Sequence, residues 1–395
     1  MINIPYKSSK HGFYERARST GHVPIIKNEF VQQKLKEFKI PSRKKINVLP
    51  KGLVRNFNKE LDRQELPNYI LSFDGSNQEV AIDENYPSTR IGYIQTATVL
   101  ILLDKMLEEQ KQSFVDPSKV KETIDKGLQA TALPGANVCE PNCFDLRSSW
   151  RYDIFELFNE YEIEDKKILD VFWELLNYTG IKNPKNKRLY GNEVKLKSCS
   201  VKNKCKEEIN VPKGGSICPK CKLPVYPTDI LRIYEEVHEN QHNDLPLNRL
   251  MLVLEHIYMI GYLDYLLKKR PEVLHKFAFI IDGPLAIMGP SAWLHLAIFN
   301  FINNKVYKTL KDKKMEFPLI LGVSKSGHFV DNANKISKLL KPQEVMCPTE
   351  NYMKNYILAA QPNEYHGKET YYGQYLFYKT KKSQIITLNI PRLIK

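Results

Sequence analysis

Two apolar runs in this chain each end in an aspartate followed by glycine, and they constrain the fold more than any other feature. Residues 69–73 lead into Asp74, and residues 277–281 lead into Asp282, which lies 208 positions further along the chain. Runs rich in aromatic and β-branched residues that close on Asp-Gly predict strands entering tight hairpins. If both strands share a sheet, their ends could bring two carboxylates to one edge.

The rest of the chain predicts strands and helices in alternation. Residues 79–83 and 91–100 predict two more strands, which would complete an antiparallel meander with the first. Apolar residues at helical spacing, together with capping residues, predict helices at 28–38, from Asp116, and at 146–161, 165–177, 228–240, 245–270 and 291–311. Residues 317–324 predict a strand, 182–197 a connector, and 371–378 with 384–390 a closing hairpin. The pattern indicates an α/β fold with a mixed sheet flanked by helices.

The two aspartates are candidate ligands for a divalent cation. Magnesium and manganese take oxygen ligands, so carboxylates on rigid strand ends suit them. Glu255 is a candidate third ligand, because an acid in the middle of an apolar helix is expensive to bury without a partner or a cation. Each residue also has a plainer explanation, since Asp-Gly is common in turns and Glu255 could lie on a polar helix face.

Two residues after the predicted strand 317–324 are weaker candidates for the same site. Lys325 lies between serines and could hold a phosphate, or it could be a solvated lysine at a strand end. Asp331 follows at the start of a predicted helix, where an acid is also explained by the helix dipole.

Four cysteines form the strongest local signal. Their spacing is Cys199-x5-Cys205-x12-Cys218-x2-Cys221. Two pairs of thiolates separated by a short loop can close a tetrahedral shell around zinc, and such a closed shell is structural rather than catalytic. The x5 spacing of the first pair is unusual. Free thiols are the alternative, and Cys139 with Cys143 is an alternative half-site.

The composition favours a soluble protein with a polyanionic partner. The 395-residue chain has 59 lysines and arginines against 45 acids, a net charge of +14, which favours nucleic acid. Residues 1–5 show no signal-peptide pattern, and the most apolar stretch, 277–302, is interrupted by an aspartate and two prolines. We therefore expect a cytoplasmic protein with no membrane span.

One motif points to different chemistry. His238-Glu239-x-x-His242 matches the zinc metalloprotease pattern, in which both histidines bind zinc and the glutamate is the base. That chemistry requires a helix carrying both histidines on one face. Asn240 and Pro246 indicate instead that the helix frays there.

Several blocks resemble one known family in order and spacing. They are FDGSNQEV at 73–80, YPSTRIGYIQTATVLI at 86–101, IIDGPLAIMG at 280–289, LGVSKSGHF at 321–329, and TYYGQYLFYKT at 370–380 with LNIPR at 388–392. Together they resemble the NurA nucleases over about residues 66–392. The cysteine segment and the helical segment 116–190 are outside the minimal family pattern.

The resemblance implies an RNase H-like fold and a manganese- or magnesium-dependent DNA nuclease. Family members are single-strand endonucleases and 5′-to-3′ exonucleases that act with HerA-type hexameric translocases, and a homodimer is expected. Asp74 corresponds to the first metal-binding aspartate of the family, Asp282 to the second, and Glu255 to a glutamate on the preceding helix. Lys325 and Asp331 fall near later motifs. DNA-end repair and phage defence both remain open as roles.

These observations predict a domain layout and leave other functions open. Residues 1–65 would be a basic extension, 66–395 the nuclease domain, and 190–226 a zinc-binding insertion; the first and last are the expected docking surfaces. The alternatives are a non-enzymatic DNA-binding adaptor of a translocase, a phosphoryl transferase, and the protease above. Tyr93, Tyr371 and Tyr372 could stack on bases, although each also suits the core.

Overall fold

The chain forms two compact units, residues 1–45 and 46–395. The computed structural model describes residues 6–7, 14–15, 27–38, 46–56, 66–83, 85–109, 124–197, 199, 205, 207–358 and 367–394. In the first unit, the short strands Tyr6–Lys7 and Tyr14–Glu15 pair antiparallel. Helix α1, Glu29–Glu37, begins where the sequence predicts it, with the side chain of Asn28 accepting from the first-turn N–H groups.

In the described residues of the larger unit, the main sheet has nine strands. Its strands are β1 Val54–Asn56, β2 Tyr69–Asp83, β3 Tyr86–Leu102, β4 Ile124–Pro134, β5 Phe277–Asp282, β6 Leu319–Ser324, β7 Glu344–Met346, β8 Gly373–Lys379 and β9 Ile385–Pro391. The order across the sheet is β1-β7-β8-β9-β6-β5-β2-β3-β4. Only the central pairs β2/β5 and β5/β6 are parallel, and the remaining pairs are antiparallel. The predicted mixed α/β sheet is confirmed.

Strand β1 changes the predicted domain layout. It pairs with β7, so residues 54–56 belong to the main sheet. The boundary between units lies after residue 45, whereas the sequence places it after residue 65. A strand of three residues at a sheet edge has too little pattern to be recognised in a basic segment.

Strand β2 is continuous through Asp74 and Gly75, so the predicted hairpin at that point is wrong. It pairs with β3 along its whole length, from Tyr69 opposite Leu102 to Asp83 opposite Tyr86. The chain reverses between Asp83 and Tyr86 instead. The tertiary pairing with a long neighbouring strand overrides the local turn preference of Asp-Gly.

The helices of the larger unit are α2 Leu103–Glu109, α3 Leu146–Glu160, α4 Ile168–Leu176, α5 Asp244–Lys269, α6 Leu294–Phe301, α7 Lys308–Asp312, α8 His328–Ile336 and α9 Glu350–Met353. Helix α5 packs against β2, β3 and β5, and α8 packs against β9. A π-helical turn, Ile302–Tyr307, joins α6 to α7 and completes the helical stretch predicted at 291–311. The helix predicted from Asp116 falls on residues 110–123, outside the described part of the chain.

Helix α5 is the central core helix. It is long and apolar enough to cross a membrane, but 72% of its most apolar window is buried inside the protein, as expected for the core of a soluble domain. Its buried apolar residues join a core with α3, α4, α6 and the central strands. A second cluster surrounds Phe329, Tyr352 and Phe377.

Two segments differ from the sequence predictions. The stretch 182–197 contains strands, because Leu189–Tyr190 and Glu193–Leu196 pair with each other and the latter pairs with Ile209–Pro212. The stretch 228–240 forms two short 3₁₀ turns, Pro227–Leu231 and Ile233–Glu236, separated by Arg232 in a left-handed conformation. An arginine with positive φ interrupts the continuous helix that the apolar spacing predicts.

Candidate functional site

The register between β2 and β5 places the two aspartates side by side. The parallel ladder runs from Tyr69 opposite Phe277 to Phe73 opposite Ile281. One further step in this register aligns Asp74 with Asp282, at the point where β5 ends. The backbone of Asp282 is also opposite Val323 in β6. Both acids therefore lie at the same level of the central sheet, with Asp74 exposed and the Asp282 side chain 34% exposed.

Helix α5 presents Glu255 to these aspartates, and Gly75 makes room for it. A Cβ atom on Gly75 would lie 2.5 Å from Met251 Cγ and 2.8 Å from Glu255 Oε1. Any other residue at position 75 would therefore collide with the helix. The backbone N–H of Gly75 acts on the Glu255 carboxylate and favours its charged form.

Glu255 is a buried acid with an unusual environment. Glu255 is 4% exposed. Burial, together with the negative charges of Asp74 and Asp282, raises its pKa to about 8, although the backbone N–H of Gly75 acts in the opposite direction. The other buried acid on α5, Asp264, is paired with Lys166, Lys268 and Lys305 at 2.6–2.7 Å. In the described part of the chain, no lysine or arginine pairs with Glu255. Its charged form therefore needs a cation from outside the chain.

Lys325 joins the same site. Its Nζ donates to Asp282 Oδ2 at 2.6 Å, and Asp74 adds a weaker attraction, so the pKa of Lys325 is raised. The side chain is 73% exposed, so this ion pair contributes little to stability and can exchange for another ligand. The structure thus places four of the sequence candidates, Asp74, Glu255, Asp282 and Lys325, in one cluster.

Asp331 lies apart from that cluster. It is exposed in the first turn of α8, and its backbone N–H donates to Gly327 O at 3.0 Å. The negative charges that act on Glu255 are those of Asp74 and Asp282, and Asp331 is not among them. Its position is accounted for by the helix terminus.

A cavity of about 560 Å³ opens beside Asp282. It is lined by Lys325, the N-terminus of α8 and an aromatic wall that includes Tyr371 and Tyr375. Of the three tyrosines singled out in the sequence, Tyr371 therefore borders the site, Tyr372 is fully buried in the core, and Tyr93 is exposed on β3. The core interpretation is correct for Tyr372, and Tyr371 also packs, partly buried, against the second apolar cluster.

The donor set of this cluster fits a hard divalent cation. Asp74, Glu255 and Asp282 offer oxygen atoms alone, the ligands that magnesium and manganese prefer. The arrangement is open, because the ligand atoms of the three carboxylates do not all lie within 4.8 Å of one another. Among the described residues, two other groups do meet that distance: the four cysteines, and Glu79 with His242 and Asp244. A cation would have to displace Lys325 from Asp282 and draw the three carboxylates together.

The contacts of Glu239, His242 and Glu79 account for the histidine motif without protease chemistry. His238 and Glu239 lie in a turn before α5 rather than on a helix. Glu239 accepts from the Leu146 N–H at the start of α3, at 3.2 Å. His242 Nδ1 approaches the buried Glu79 at 3.3 Å, and Glu79 also accepts from the Asn243 N–H at the start of α5. The motif lacks the helix that zinc proteolysis requires, and these acids serve helix termini.

The four cysteines converge in the way that zinc requires. Their sulfur atoms lie within 4.8 Å of one another, with Cys199–Cys221 at 3.6 Å and Cys205–Cys218 at 3.8 Å. A tetrahedral shell with Zn–S bonds of about 2.3 Å has sulfur–sulfur edges of about 3.8 Å. The unusual x5 spacing of the first pair is therefore no obstacle, because the close contacts join one cysteine of each pair.

Backbone groups favour thiolates in this cluster. Although burial opposes ionisation, N–H groups of Cys221 and Lys220 lower the pKa of Cys218 to about 7. The pair Ser216–Ile217 and Pro224–Val225 forms the small hairpin that carries Cys218 and Cys221. Cys139 and Cys143 lie elsewhere, next to the Ser149 hydroxyl, and burial raises their pKa values.

Comparison with known proteins adds no assignment, since no family model and no curated protein matches the chain. Two contributors to the site were not recognised in the sequence. Gly75 was interpreted as a turn residue, and the apolar contacts of Met251 gave no hint of a neighbouring strand. The apolar run that ends in Asp-Gly occurs twice, at 69–75 and at 277–283, and this repetition is the signal that could have found the parallel pairing.

Proposed function

We propose that this protein is a cytoplasmic, manganese- or magnesium-dependent DNA nuclease whose active site is formed by Asp74, Glu255 and Asp282. The observation that carries the proposal is the convergence of three carboxylates at the end of β5, one of them buried and without a cationic partner in the described chain. Hydrolysis of a phosphodiester by a protein of strongly basic composition is the reaction that such a site suits best.

The sheet order supports an RNase H-like core of the NurA type. Three antiparallel strands, β4-β3-β2, are followed by two parallel ones, β5 and β6, and the acids lie on the two central strands. Helix α5 precedes β5 in the chain and supplies the third acid, which agrees with the family pattern of the blocks at 73–80 and 280–289. The cysteine-bearing segment 190–226, the zinc module, and helices α3 and α4 are additions to that pattern.

Each residue has a role that follows from its surroundings. Asp74 and Asp282 would hold a cation, and Glu255 would lose its proton to become the third ligand. Such an ion, when bound, supplies an activated water and stabilises charge on the phosphate. Lys325, released from Asp282, would then contact a phosphate oxygen of the substrate.

The proposed partners are DNA and a HerA-type hexameric translocase, with the nuclease acting as a homodimer. A motor that feeds a strand into the site raises the effective concentration of substrate at an exposed site. The unit formed by residues 1–45 and the zinc module are the surfaces proposed for docking, because neither contributes to the acid cluster.

Incubation with labelled single-stranded DNA and manganese tests the proposal. We expect cleavage by the wild type, no cleavage after chelation, and at least a hundredfold loss in Asp282→Asn, since removing one charged transition-state contact costs about 2.7–4 kcal/mol. Asp312→Asn, which removes an exposed acid at the end of α7, is the matched control and should cleave normally. Absence of cleavage by the wild type with any divalent cation would refute the enzyme assignment.

One observation favours a second candidate, a DNA-binding adaptor without catalysis. Lys325 occupies Asp282 Oδ2, and the three carboxylates are more open than a closed ligand set. In an adaptor this lysine would permanently neutralise the aspartate. Manganese binding by the wild type distinguishes the two, because a nuclease should bind the ion in exchange for Lys325, whereas an adaptor whose aspartate is permanently neutralised should bind none.

A further inference from the structure

A second basic cavity lies away from the acid cluster. This cleft of about 320 Å³ is formed between the zinc module, the 3₁₀ turns before α5 and the segment that precedes α6. The residues on which the argument depends are Arg188, Lys195, Arg232 and Trp293. We name it the Arg188 cleft.

Arg188 differs from the other arginines around the cleft. Arg232 makes a bidentate pair with Glu235 at 2.7 and 2.8 Å, and Arg151 makes one with Asp229 at 2.6 and 2.9 Å. The two acids of the cleft are therefore already paired. In the part of the chain that the structure describes, no carboxylate pairs with Arg188.

The guanidinium of Arg188 is held ready for a ligand. It lies 5.4 Å from the centre of the Trp293 ring and is half-buried. Burial, and to a smaller extent the like charge of Arg232, lower its pKa. A partly desolvated guanidinium beside a second cation is unfavourable until an anion binds. Its planar fork matches the oxygen atoms of a phosphate.

The cleft is close to the proposed active site along the chain. Met288 borders the cavity beside Asp282, and Pro290 borders the Arg188 cleft. Residues two positions apart are separated by at most about 7 Å. The two cavities therefore approach each other at this segment, which is the route that the proposal takes for a strand extending beyond the acid cluster.

We propose that the Arg188 cleft binds a backbone phosphate of the DNA strand on which the nuclease acts. The inference rests on the proposed function, because it takes DNA as the substrate. It assigns a positioning role to a residue outside the acid cluster. Arg188 would hold the strand without reading its sequence, since a phosphate contact carries no base information.

The test compares Arg188→Gln with Arg270→Gln in the full-length protein. Arg270 is exposed and pairs with Glu272, so its loss removes an equal charge elsewhere. Binding of a fluorescent single-stranded oligonucleotide is measured in chelator, across a salt series. We expect Arg188→Gln to weaken binding about tenfold and to reduce the slope of log K against log salt by about 0.7. Arg270→Gln should change neither quantity.

Arg188→Lys separates phosphate binding from packing against Trp293. It keeps the charge but loses the fork, so we expect the wild-type salt slope with weaker affinity. Equal slopes for wild type and a folded Arg188→Gln would overturn the proposal. If the wild type binds DNA but shows no manganese-dependent cleavage, the nuclease function is refuted. The salt dependence of DNA binding by Arg188→Gln would still test the Arg188 cleft. Failure of the wild type to bind DNA would refute both.

Discussion

Glu255 allows a direct test of the acid cluster that does not depend on activity. Its pKa is raised from 4.5 to about 8, chiefly by burial and then by Asp74 and Asp282. The folded protein therefore holds a proton that the unfolded chain has released. The contribution of Glu255 to the free energy of unfolding is fully present below pH 4.5, falls as the pH rises, and is lost above pH 8. The whole change corresponds to about 5 kcal/mol.

The assay is urea unfolding of the metal-free protein at several pH values. Between pH 6 and pH 8, the difference in unfolding free energy between wild type and Glu255→Gln should change by about 2 kcal/mol, with the wild type losing stability. Glutamine has nearly the same shape but cannot ionise, so the comparison removes the contributions of other groups. Glu316→Gln, at an exposed position, should behave as the wild type does.

Manganese should reverse this pH dependence. A cation binds the ionised form of Glu255, so it adds more stability at pH 8 than at pH 6, and it should add much less to Glu255→Gln. Parallel pH curves for wild type and Glu255→Gln without metal would show that Glu255 is ordinarily ionised. In that case burial without a cationic partner would no longer be an argument for Glu255 as the third ligand.

Three further outcomes follow from the structure. Replacing Cys218 and Cys221 by serine should remove about one zinc ion per chain, measured by metal analysis, while manganese-dependent cleavage persists; wild type purified without zinc would contradict this. Gly75→Ala should destabilise the protein by about 1–3 kcal/mol in urea unfolding, whereas Gly214→Ala, with nothing within 4 Å of the added Cβ, should not. Deletion of residues 1–45 should abolish binding to a HerA-type motor in pull-down assays but spare basal nicking of short strands; loss of nicking with motor binding retained would contradict it.

The elements that could be predicted are those with long local patterns. Helices α3, α4 and α5, strand β5 and the closing hairpin β8–β9 all lie close to their predicted ranges, because apolar periodicity over many residues specifies them. The convergence of the four cysteines was also predictable, since their spacing is one that a zinc site can use. The strands of the zinc module were not, because lysines and asparagines at 182–197 hide short paired segments.

Local signals failed where long-range pairing decides the conformation. Asp74 and Gly75 have the composition of a turn, and an isolated hairpin there would satisfy every local rule. The strand β3 provides partners along the full length of β2, so the extended form forms more hydrogen bonds than a turn would. Arg232 and β1 were missed for related reasons, since a single left-handed residue and a three-residue edge strand leave almost no pattern.

The corrected position of Asp74 strengthens the argument for the site rather than weakening it. At a hairpin turn, the aspartate would be held by a flexible loop and its partner in the sheet would be undetermined. In the middle of β2 its direction is fixed by hydrogen bonds on both sides, from β3 along the strand and from β5 up to the preceding residue. Gly75 then has a role that a turn does not give it, because the absence of a side chain admits the helix that carries Glu255. The same dipeptide thus positions one carboxylate and makes space for another, and a flexible turn would require neither.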